Sequence, residues 1–297
     1  MNLAETGLKK VWAQHERRWR DHRYVYAVVS RRSGGVSVGI NLNPDKACNF
    51  DCLYCQVDRA APSGVRGVDL HVLSTELREI LEAARDGSLY DAPPFDMLPP
   101  IRRGIRDIAF SGDGEPTTFP RFPDAARIAA EAREAFELAA AKIVLITDAA
   151  YLHKPAVREG LRILDSSGGE IWAKLDAGTE EYFRKVNRPN VPLQRVLDNI
   201  LEASIDRPVV IQSLWMRIDG VGPDDAEVAA YCARLNSILQ HGGRLKSIQI
   251  YSVARRPAVS GVSMLPDRDL DAISRTVRQS VPVTVDTFYG VRQPSGD

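Results

Sequence analysis

Short runs of aliphatic and β-branched residues recur along the chain, and stretches with helical periodicity separate most of them. The runs predict strands at Val36–Leu42, Asp107–Ser111, Lys142–Thr147, Ile171–Asp176, Val209–Ser213, Lys246–Ser252 and Val283–Thr287. The intervening pattern predicts helices at Thr75–Arg85, Asp124–Ala140, Pro155–Leu164, Leu193–Ala203, Asp224–Leu239 and Asp267–Arg278. From the second strand onward the spacing is that of βα units, which predicts a parallel sheet with helical crossovers.

This repeated unit predicts an α/β fold, specifically a partial parallel (βα)6 TIM-like barrel with N- and C-terminal extensions. The predicted domains are a basic extension at residues 1–35, a barrel core at residues 36–260, and a C-terminal helix and strand at residues 261–297 packed on the core. The basic extension is interpreted either as a solvated amphipathic helix with a lead-in segment or as a contact for a polyanion. In such barrels the chemistry lies at the carboxyl ends of the strands.

The amino-acid composition limits which binding partners and which cellular compartment are expected. Lysine plus arginine and aspartate plus glutamate both number 39, so the formal net charge of zero creates no overall attraction to nucleic acid or membrane. No apolar run approaches the roughly 20 residues that span a bilayer, and the N-terminal segment lacks the apolar core of a signal peptide. We therefore expect a cytoplasmic, monomeric protein without a membrane partner.

Three of the four cysteines lie within eight residues, at Cys48, Cys52 and Cys55. Such crowding favours metal binding over disulfides, but a structural zinc site takes four ligands. Cys232 stands alone in a predicted helix and is interpreted as a small buried apolar residue. A [4Fe–4S] cluster usually has four thiolates, so three would leave one iron open to a substrate or cofactor. The cysteines follow the first predicted strand, where barrel enzymes have their sites.

The segment CNFDCLYC, residues 48–55, resembles the CxxxCxxC signature of the radical S-adenosylmethionine (SAM) superfamily. The resemblance implies that Cys48, Cys52 and Cys55 hold a [4Fe–4S] cluster whose open iron chelates the methionine amino and carboxylate groups of SAM. It also implies reductive cleavage of SAM to methionine and a 5′-deoxyadenosyl radical. The expected partner is a reducing electron donor, a flavodoxin or a ferredoxin-like protein. Tyr54, just before the last cysteine, is expected to pack near the adenine, the alternative being simple loop packing.

The segment FSGDGEPTT, residues 110–118, resembles the GGE motif of the same superfamily. The resemblance implies that Gly112, Asp113, Gly114 and Glu115 hold the methionine amino group. Glycines there would permit positive φ and close approach of the backbone to a ligand. Glu115 is the side chain best suited to accept from an ammonium group.

Further matches lie at the ends of the fourth and fifth predicted strands. In relatives a polar residue from the fourth strand touches the ribose or carboxylate of SAM, and Asp176 is the candidate here, followed by Lys174. Gln212 and Ser213, taken as the end of the fifth strand, are expected to do likewise. The alternative for the first pair is a salt bridge at the strand ends. Thr147-Asp148 departs from the Thr-Asn-Gly common after the third strand.

Longer segments around these motifs are similar to one branch of the superfamily. They are SRRSGGVSVGINLNPDKACNFDCLYCQ, FSGDGEPTTFPRF, KLDAGTEEYFRKVNRPN and IQIYSVARRPA. The branch contains the tRNA wyosine-base (4-demethylwyosine) synthases and their uncharacterised bacterial relatives. The wyosine enzymes carry a second cluster on upstream cysteines, but no cysteine precedes Cys48 in this sequence.

The substrate class follows from this branch and from the arginines. Arg31, Arg32, Arg188 and the pair Arg255–Arg256 flank predicted strands, and we expect them around one opening that binds an anionic substrate, namely an RNA or tRNA base. The alternative role of these arginines is structural pairing with acidic neighbours. Two other functions stay open, an activase that forms a glycyl radical on a partner protein and a non-catalytic iron–sulfur electron-transfer protein.

Overall fold

The computed structural model describes residues 19–291, and these residues form two compact units. Within them, unit one comprises residues 19–48, 62–146 and 154–170, and unit two comprises residues 49–61, 147–153 and 171–291. The strands are β1 Val25–Ser30, β2 Gly35–Ile40, β3 Ile105–Phe110, β4 Lys142–Thr147, β5 Gly169–Lys174, β6 Val209–Ile218, β7 Leu245–Ser252, β8 Val262–Met264 and β9 Val285–Phe288. The helices are α1 Leu70–Asp86, α2 Phe122–Ala135, α3 Pro155–Ser166, α4 Glu180–Asn187, α5 Leu193–Asp206, α6 Asp225–Gln240 and α7 Asp267–Ser280.

Unit one is a sheet with helical crossovers. The hairpin β1–β2 is antiparallel, whereas β2, β3 and β4 run parallel, with Val38 opposite Ile108 and Ile108 opposite Ile143. These apolar side chains are fully buried, which is expected for parallel strands covered by helices. Phe110 packs edge-to-face on Phe122 at the start of α2, with ring centroids 5.3 Å apart. The order of strand and helix predicted for this part of the chain is confirmed.

Unit two repeats the same arrangement. Strands β5, β6, β7 and β9 are parallel neighbours, and the short β8 pairs antiparallel with the last residues of β6. Trp215 of β6 meets Tyr231 of α6 edge-to-face at 5.2 Å between ring centroids, and both are fully buried. Lys174, Gln212 and Gln249 are side by side in the register of β5, β6 and β7. This polar row therefore occupies one face of an otherwise apolar sheet.

Several sequence predictions need correction. Val25–Ser30 is a buried strand and not part of a solvated helix or lead-in, because its apolar residues pair with β2; residues 1–18 of the predicted extension lie outside the described residues. Strand β6 continues to Ile218, so Gln212 and Ser213 lie inside it and not at its end. Helix α2 ends at Ala135, earlier than predicted. Strand β8 and helix α4 were not predicted, because three and eight residues are too short for a clear period.

None of the described helices is both long and apolar enough to cross a lipid bilayer.

Candidate cluster and cofactor site

The turn at Gly112–Glu115 follows β3 in unit one and packs against the segment that follows β2. A Cβ on Gly112 would lie 2.4 Å from Asn41 Oδ1, and a Cβ on Gly114 would lie 2.0 Å from the backbone oxygen of Ala47. Neither glycine is among those with positive φ, so this turn does not use the positive φ that glycine permits. Both glycines are required by close packing, and Ala47 is the residue directly before Cys48.

The two acidic residues of this turn stabilise its conformation. Asn41 Nδ2 donates to Asp113 Oδ2 at 2.8 Å, and the backbone N–H of Asp113 donates to Asn41 Oδ1 at 3.2 Å. Glu115 is 3% exposed, and its Oε1 accepts from the backbone nitrogen of Thr117 at 3.1 Å and from Thr117 Oγ1 at 2.5 Å. Glu115 thus caps the short 3-10 turn Pro116–Thr118. The conformation of the turn is therefore held by hydrogen bonds of its own residues and of Asn41.

In unit two, the loop that carries Cys52 and Cys55 is held by backbone hydrogen bonds on both sides. Leu53 N donates to the oxygen of Val186 in α4 at 2.8 Å. Ala258 N, in the segment after β7, donates to the oxygen of Cys55 at 2.9 Å. Among residues 19–291 no three His, Cys, Asp or Glu side chains are already gathered as the ligands of a metal ion, so a site on all three cysteines is a matter for proposal.

Each of these two cysteines has a side-chain hydrogen-bond donor beside its sulfur. Asn187 Nδ2 lies 3.5 Å from Cys52 Sγ, and Arg59 Nη2 lies 3.7 Å from Cys55 Sγ. Amide and guanidinium donors favour the thiolate form that a metal cluster requires. The donor set of this loop therefore suits a cluster bound through thiolates. Sequence reasoning missed both donors, although Asn187 stands in a segment singled out by resemblance.

A buried polar group, called here the Asp176 cluster, consists of Tyr54, Lys174, Asp176, Asn187 and Tyr251. Tyr54 OH donates to Asp176 Oδ2, and Asn187 Nδ2 donates to the same oxygen at 3.0 Å. Lys174 Nζ lies 3.7 Å from this oxygen, donates to Tyr251 OH at 3.1 Å, and stands 4.4 Å from the centroid of the Tyr54 ring. The Asp176 cluster thus holds the Lys174 ammonium group between the aromatic rings of Tyr54 and Tyr251.

In the Asp176 cluster, burial and the Asp176 carboxylate are the main causes of the shifted pKa values. Burial is the largest single influence and lowers the pKa of Lys174, but Asp176, Tyr251 and Cys52 together outweigh it and raise the pKa above the usual lysine range. Burial, followed by the charge of Asp176, raises the pKa of Tyr54 well above its usual value. Burial likewise raises the pKa of the Cys52 thiol to about 12, even though Lys174 lowers it. At neutral pH Lys174 is therefore cationic and Tyr54 is a neutral phenol.

Gln212 and Ser213 point to opposite faces of the sheet because they are consecutive in β6. Gln212 Nε2 donates to Gln249 Oε1 at 2.8 Å, and Gln212 Oε1 has no hydrogen-bond partner within the described part of the chain. Ser213 Oγ instead pairs with Tyr231 OH of α6 at 2.6 Å. Only Gln212 therefore shares the face of Lys174. Gln249 was not predicted, although its position between isoleucines in β7 marks it as a buried polar residue.

The arginines divide into two sets. Arg188 ends α4 and its Nη1 lies 3.2 Å from Asp51 Oδ2, while Arg255 Nη1 donates to Gln56 Oε1 at 3.0 Å, so both adjoin the cysteine loop in unit two. Arg31 and Arg32 lie in the turn between β1 and β2. That turn is at the amino end of β2, away from the carboxyl ends of the parallel strands. The expectation that all these arginines surround one opening was therefore wrong for Arg31 and Arg32.

The family of the chain is shown by comparison with known proteins. The model of the Radical SAM superfamily matches residues 42–229, which is more than half of the chain. This chain belongs to the radical SAM superfamily. The predicted superfamily, enzyme class and cofactors, a [4Fe–4S] cluster and S-adenosylmethionine, are those of this family. Because a reduced cluster is needed, an enzyme of this family requires an electron donor.

Relatives among curated proteins include members named UPF0026. The UPF0026 protein of Methanocaldococcus jannaschii is 28% identical over 180 residues, covering 61% of this chain and 48% of that protein. A UPF0026 protein of Helicobacter pylori is 23% identical over 182 residues, covering 61% and 51%. A Brachyspira hyodysenteriae protein named GTPase Obg is 21% identical over 263 residues, covering 87% and 34%. The chain thus spans about a third to a half of the length of these relatives.

Two solved structures resemble the chain. Streptococcus suis SuiB bound to S-adenosylmethionine gives a TM-score of 0.56 at 12% identity, with 86% of this chain and 52% of SuiB covered. Archaeal TYW1 gives a TM-score of 0.47 at 10% identity, covering 95% and 90%. The likeness to SuiB shows the fold, and the predicted α/β partial parallel barrel is confirmed.

Proposed function

We propose that this chain binds a [4Fe–4S] cluster through Cys48, Cys52 and Cys55 and cleaves S-adenosylmethionine reductively. The observation that carries the proposal is the contact of Gly114 with Ala47, because it sets the GGE-like turn against the residue preceding Cys48. When bound and reduced, the cluster supplies the electron that splits SAM into methionine and a 5′-deoxyadenosyl radical. The protein's own residues bind and orient the cofactor and exclude water around it.

The roles proposed for these residues follow their chemistry. The turn Gly112–Glu115 carries the carboxylate suited to the methionine ammonium, and it is preorganised by its caps. The Lys174 ammonium suits the methionine carboxylate, and Tyr54 offers an aromatic face to the adenine. Gln212 Oε1 is an acceptor for a ribose hydroxyl.

Asp176 and Ser213 are proposed in less direct roles. Both carboxylate oxygens of Asp176 are already in use, since Oδ1 accepts from Leu214 N at 2.8 Å and Oδ2 accepts from Tyr54 and Asn187. We therefore assign Asp176 to positioning Lys174 and Tyr54 for the cofactor. Ser213 is proposed to act only through the strand that carries Gln212.

Anaerobic reconstitution tests the proposal. The protein should take up about four irons per chain, as expected for a [4Fe–4S] cluster. Alanine at any one of the three proposed ligands should abolish the cluster, whereas Cys232→Ala should keep it, because Cys232 is buried in α6. Dithionite-reduced protein should then release 5′-deoxyadenosine and methionine. Stable binding of zinc without iron uptake would contradict the proposal.

We further propose that the substrate is an RNA and that a flavodoxin or ferredoxin-like protein is the electron donor. Support for RNA comes from the resemblance to the wyosine-base branch and from Arg188, Arg255 and the exposed Arg256 near the cysteine loop. Guanidinium groups bind phosphates in a bidentate manner. Binding of bulk tRNA should therefore weaken steeply with salt, with a log–log slope of roughly a few units.

Two double variants make this test specific. Arg188→Ala/Arg256→Ala should flatten the salt slope without lowering the iron content. Arg31→Ala/Arg32→Ala is the matched control, because these residues lie at the amino end of β2, and its slope should equal that of wild type. If no RNA binds with salt dependence at low ionic strength, the RNA proposal fails, and a partner protein's glycine becomes the substrate to test.

A further inference from the structure

Asn187 is a buried side chain at the end of α4 whose amide nitrogen faces three acceptors. Nδ2 lies 3.0 Å from Asp176 Oδ2, 3.3 Å from Tyr54 OH and 3.5 Å from Cys52 Sγ. Asn187 is 2% exposed, and its Oδ1 has no hydrogen-bond partner among the residues described. A buried amide oxygen without a partner lowers stability, so packing alone favours an apolar residue here. The position therefore uses asparagine for what its nitrogen does.

The two amide hydrogens must be shared among the three acceptors. Asp176 Oδ2 is charged and nearest, so it takes one hydrogen. Tyr54 OH donates its own hydrogen to Asp176 and offers only a neutral oxygen. Once Cys52 is a metal-bound thiolate, its sulfur carries negative charge and is the stronger of the two remaining acceptors. The second hydrogen then points to Cys52 Sγ.

The backbone keeps the amide and the sulfur together. Asp51 N donates to the oxygen of Asn187 at 3.2 Å, and Leu53 N donates to the oxygen of Val186 at 2.8 Å. These bonds flank Cys52 on both sides. The distance between Nδ2 and Sγ is therefore set by a short ladder between the cysteine loop and the end of α4, and not by a mobile side chain.

We propose that Asn187 is a positioning residue that donates an N–H···S hydrogen bond to the Cys52 thiolate and raises the reduction potential of the cluster. This inference rests on the proposed function, because it takes Cys52 as a cluster ligand. Reduction adds one electron to the cluster, breaks no bond and takes up no proton, so the cluster gains one negative charge. A donor aimed at a ligand sulfur stabilises that added charge and favours the reduced form.

The test is an EPR-monitored redox titration of the reconstituted full-length protein with dithionite and mediator dyes. Asn187→Leu and the milder Asn187→Ser should both shift the midpoint of the cluster to a more negative potential. Asn199→Ser is the matched control, since Asn199 is also 2% exposed in unit two but donates to the oxygens of Ala149 and Ala150, each at 2.8 Å. Its midpoint should equal that of wild type, whatever it does to thermal stability.

The outcomes separate the two proposals. A wild-type cluster whose midpoint is unchanged in both Asn187 variants overturns the inference and leaves the proposed function standing. Failure of the wild type to bind iron overturns both. If neither variant retains its cluster, wild-type protein labelled with 15N in the asparagine side-chain amide is measured in the reduced state. A 15N coupling to the cluster in the pulsed EPR spectrum supports the hydrogen bond, and its absence contradicts it.

Discussion

Replacing Gly114 with alanine tests how the turn after β3 is connected to the cysteine loop. The new Cβ would stand 2.0 Å from the backbone oxygen of Ala47 and 2.7 Å from Asn43 Cβ, whereas ordinary contact begins at 3.4 Å. The oxygen of Ala47 would thus have to move by about 1.4 Å, and Cys48 follows it in the chain. Backbone cannot rotate away as a side-chain tip can, so we expect the upper end of overpacking costs, about 3 kcal/mol.

Thermal unfolding and iron content measure the effect. For a chain of this size the unfolding entropy is about 0.6 kcal/mol/K, so a loss of about 3 kcal/mol corresponds to a fall in Tm of roughly 5 °C. The displaced Cys48 should also lower the iron bound after reconstitution. Gly64→Ala is the matched control, because nothing lies within 4 Å of a Cβ on Gly64. If the Gly114 variant has the same Tm as the Gly64 variant and binds as much iron, close packing at Gly114 does not connect the turn to the cysteine loop.

Three further substitutions test the buried charges. Asp176→Asn leaves the Lys174 ammonium without its carboxylate. The free energy of unfolding, measured by denaturant titration, should fall by about 3–5 kcal/mol. An unchanged midpoint would exclude the ion pair as a stabilising contact. Glu115→Gln keeps a hydrogen-bond acceptor for the turn but removes the negative charge. The affinity for SAM, measured by calorimetry, should fall by about 10-fold or more, while Tm stays within a few degrees of the wild-type value. An affinity equal to that of wild type would remove Glu115 from the cofactor site. Burial raises the pKa of Asp107, so the folded state binds the proton more tightly and wild-type stability should fall as pH rises above the usual aspartate range of about 4. The stability of Asp107→Asn should not show this fall. If the stabilities of the two proteins change with pH in parallel, Asp107 is not the cause.

Much of the architecture was predictable from local pattern. Apolar periods of strand and helix type alternate along the chain, and each predicted strand is present with bounds shifted by only a few residues. Helix α4 was not predicted, because eight residues contain too few repeats of the helical period. Strand β1 was missed although Val25–Ser30 has the valine-rich composition of a strand, because the segment was grouped with the basic residues on either side of it.

The candidate site shows the same division. The spacing of Cys48, Cys52 and Cys55 is a covalent property, so the sequence alone was enough to predict the cluster and, through resemblance, the radical SAM family. The reason for glycine at position 114 could not be predicted, since it lies in the approach of Ala47 from another segment.

The partners of the buried charges depended on tertiary structure for the same reason. Asn187 reaches Cys52 across 135 residues of sequence, and Tyr54 reaches Asp176 across 122. Which polar groups meet inside a sheet is decided by strand register and loop packing, which bring distant segments within hydrogen-bond range. Periodicity along the chain carries no information about such pairs, because it records only which face of each element is apolar.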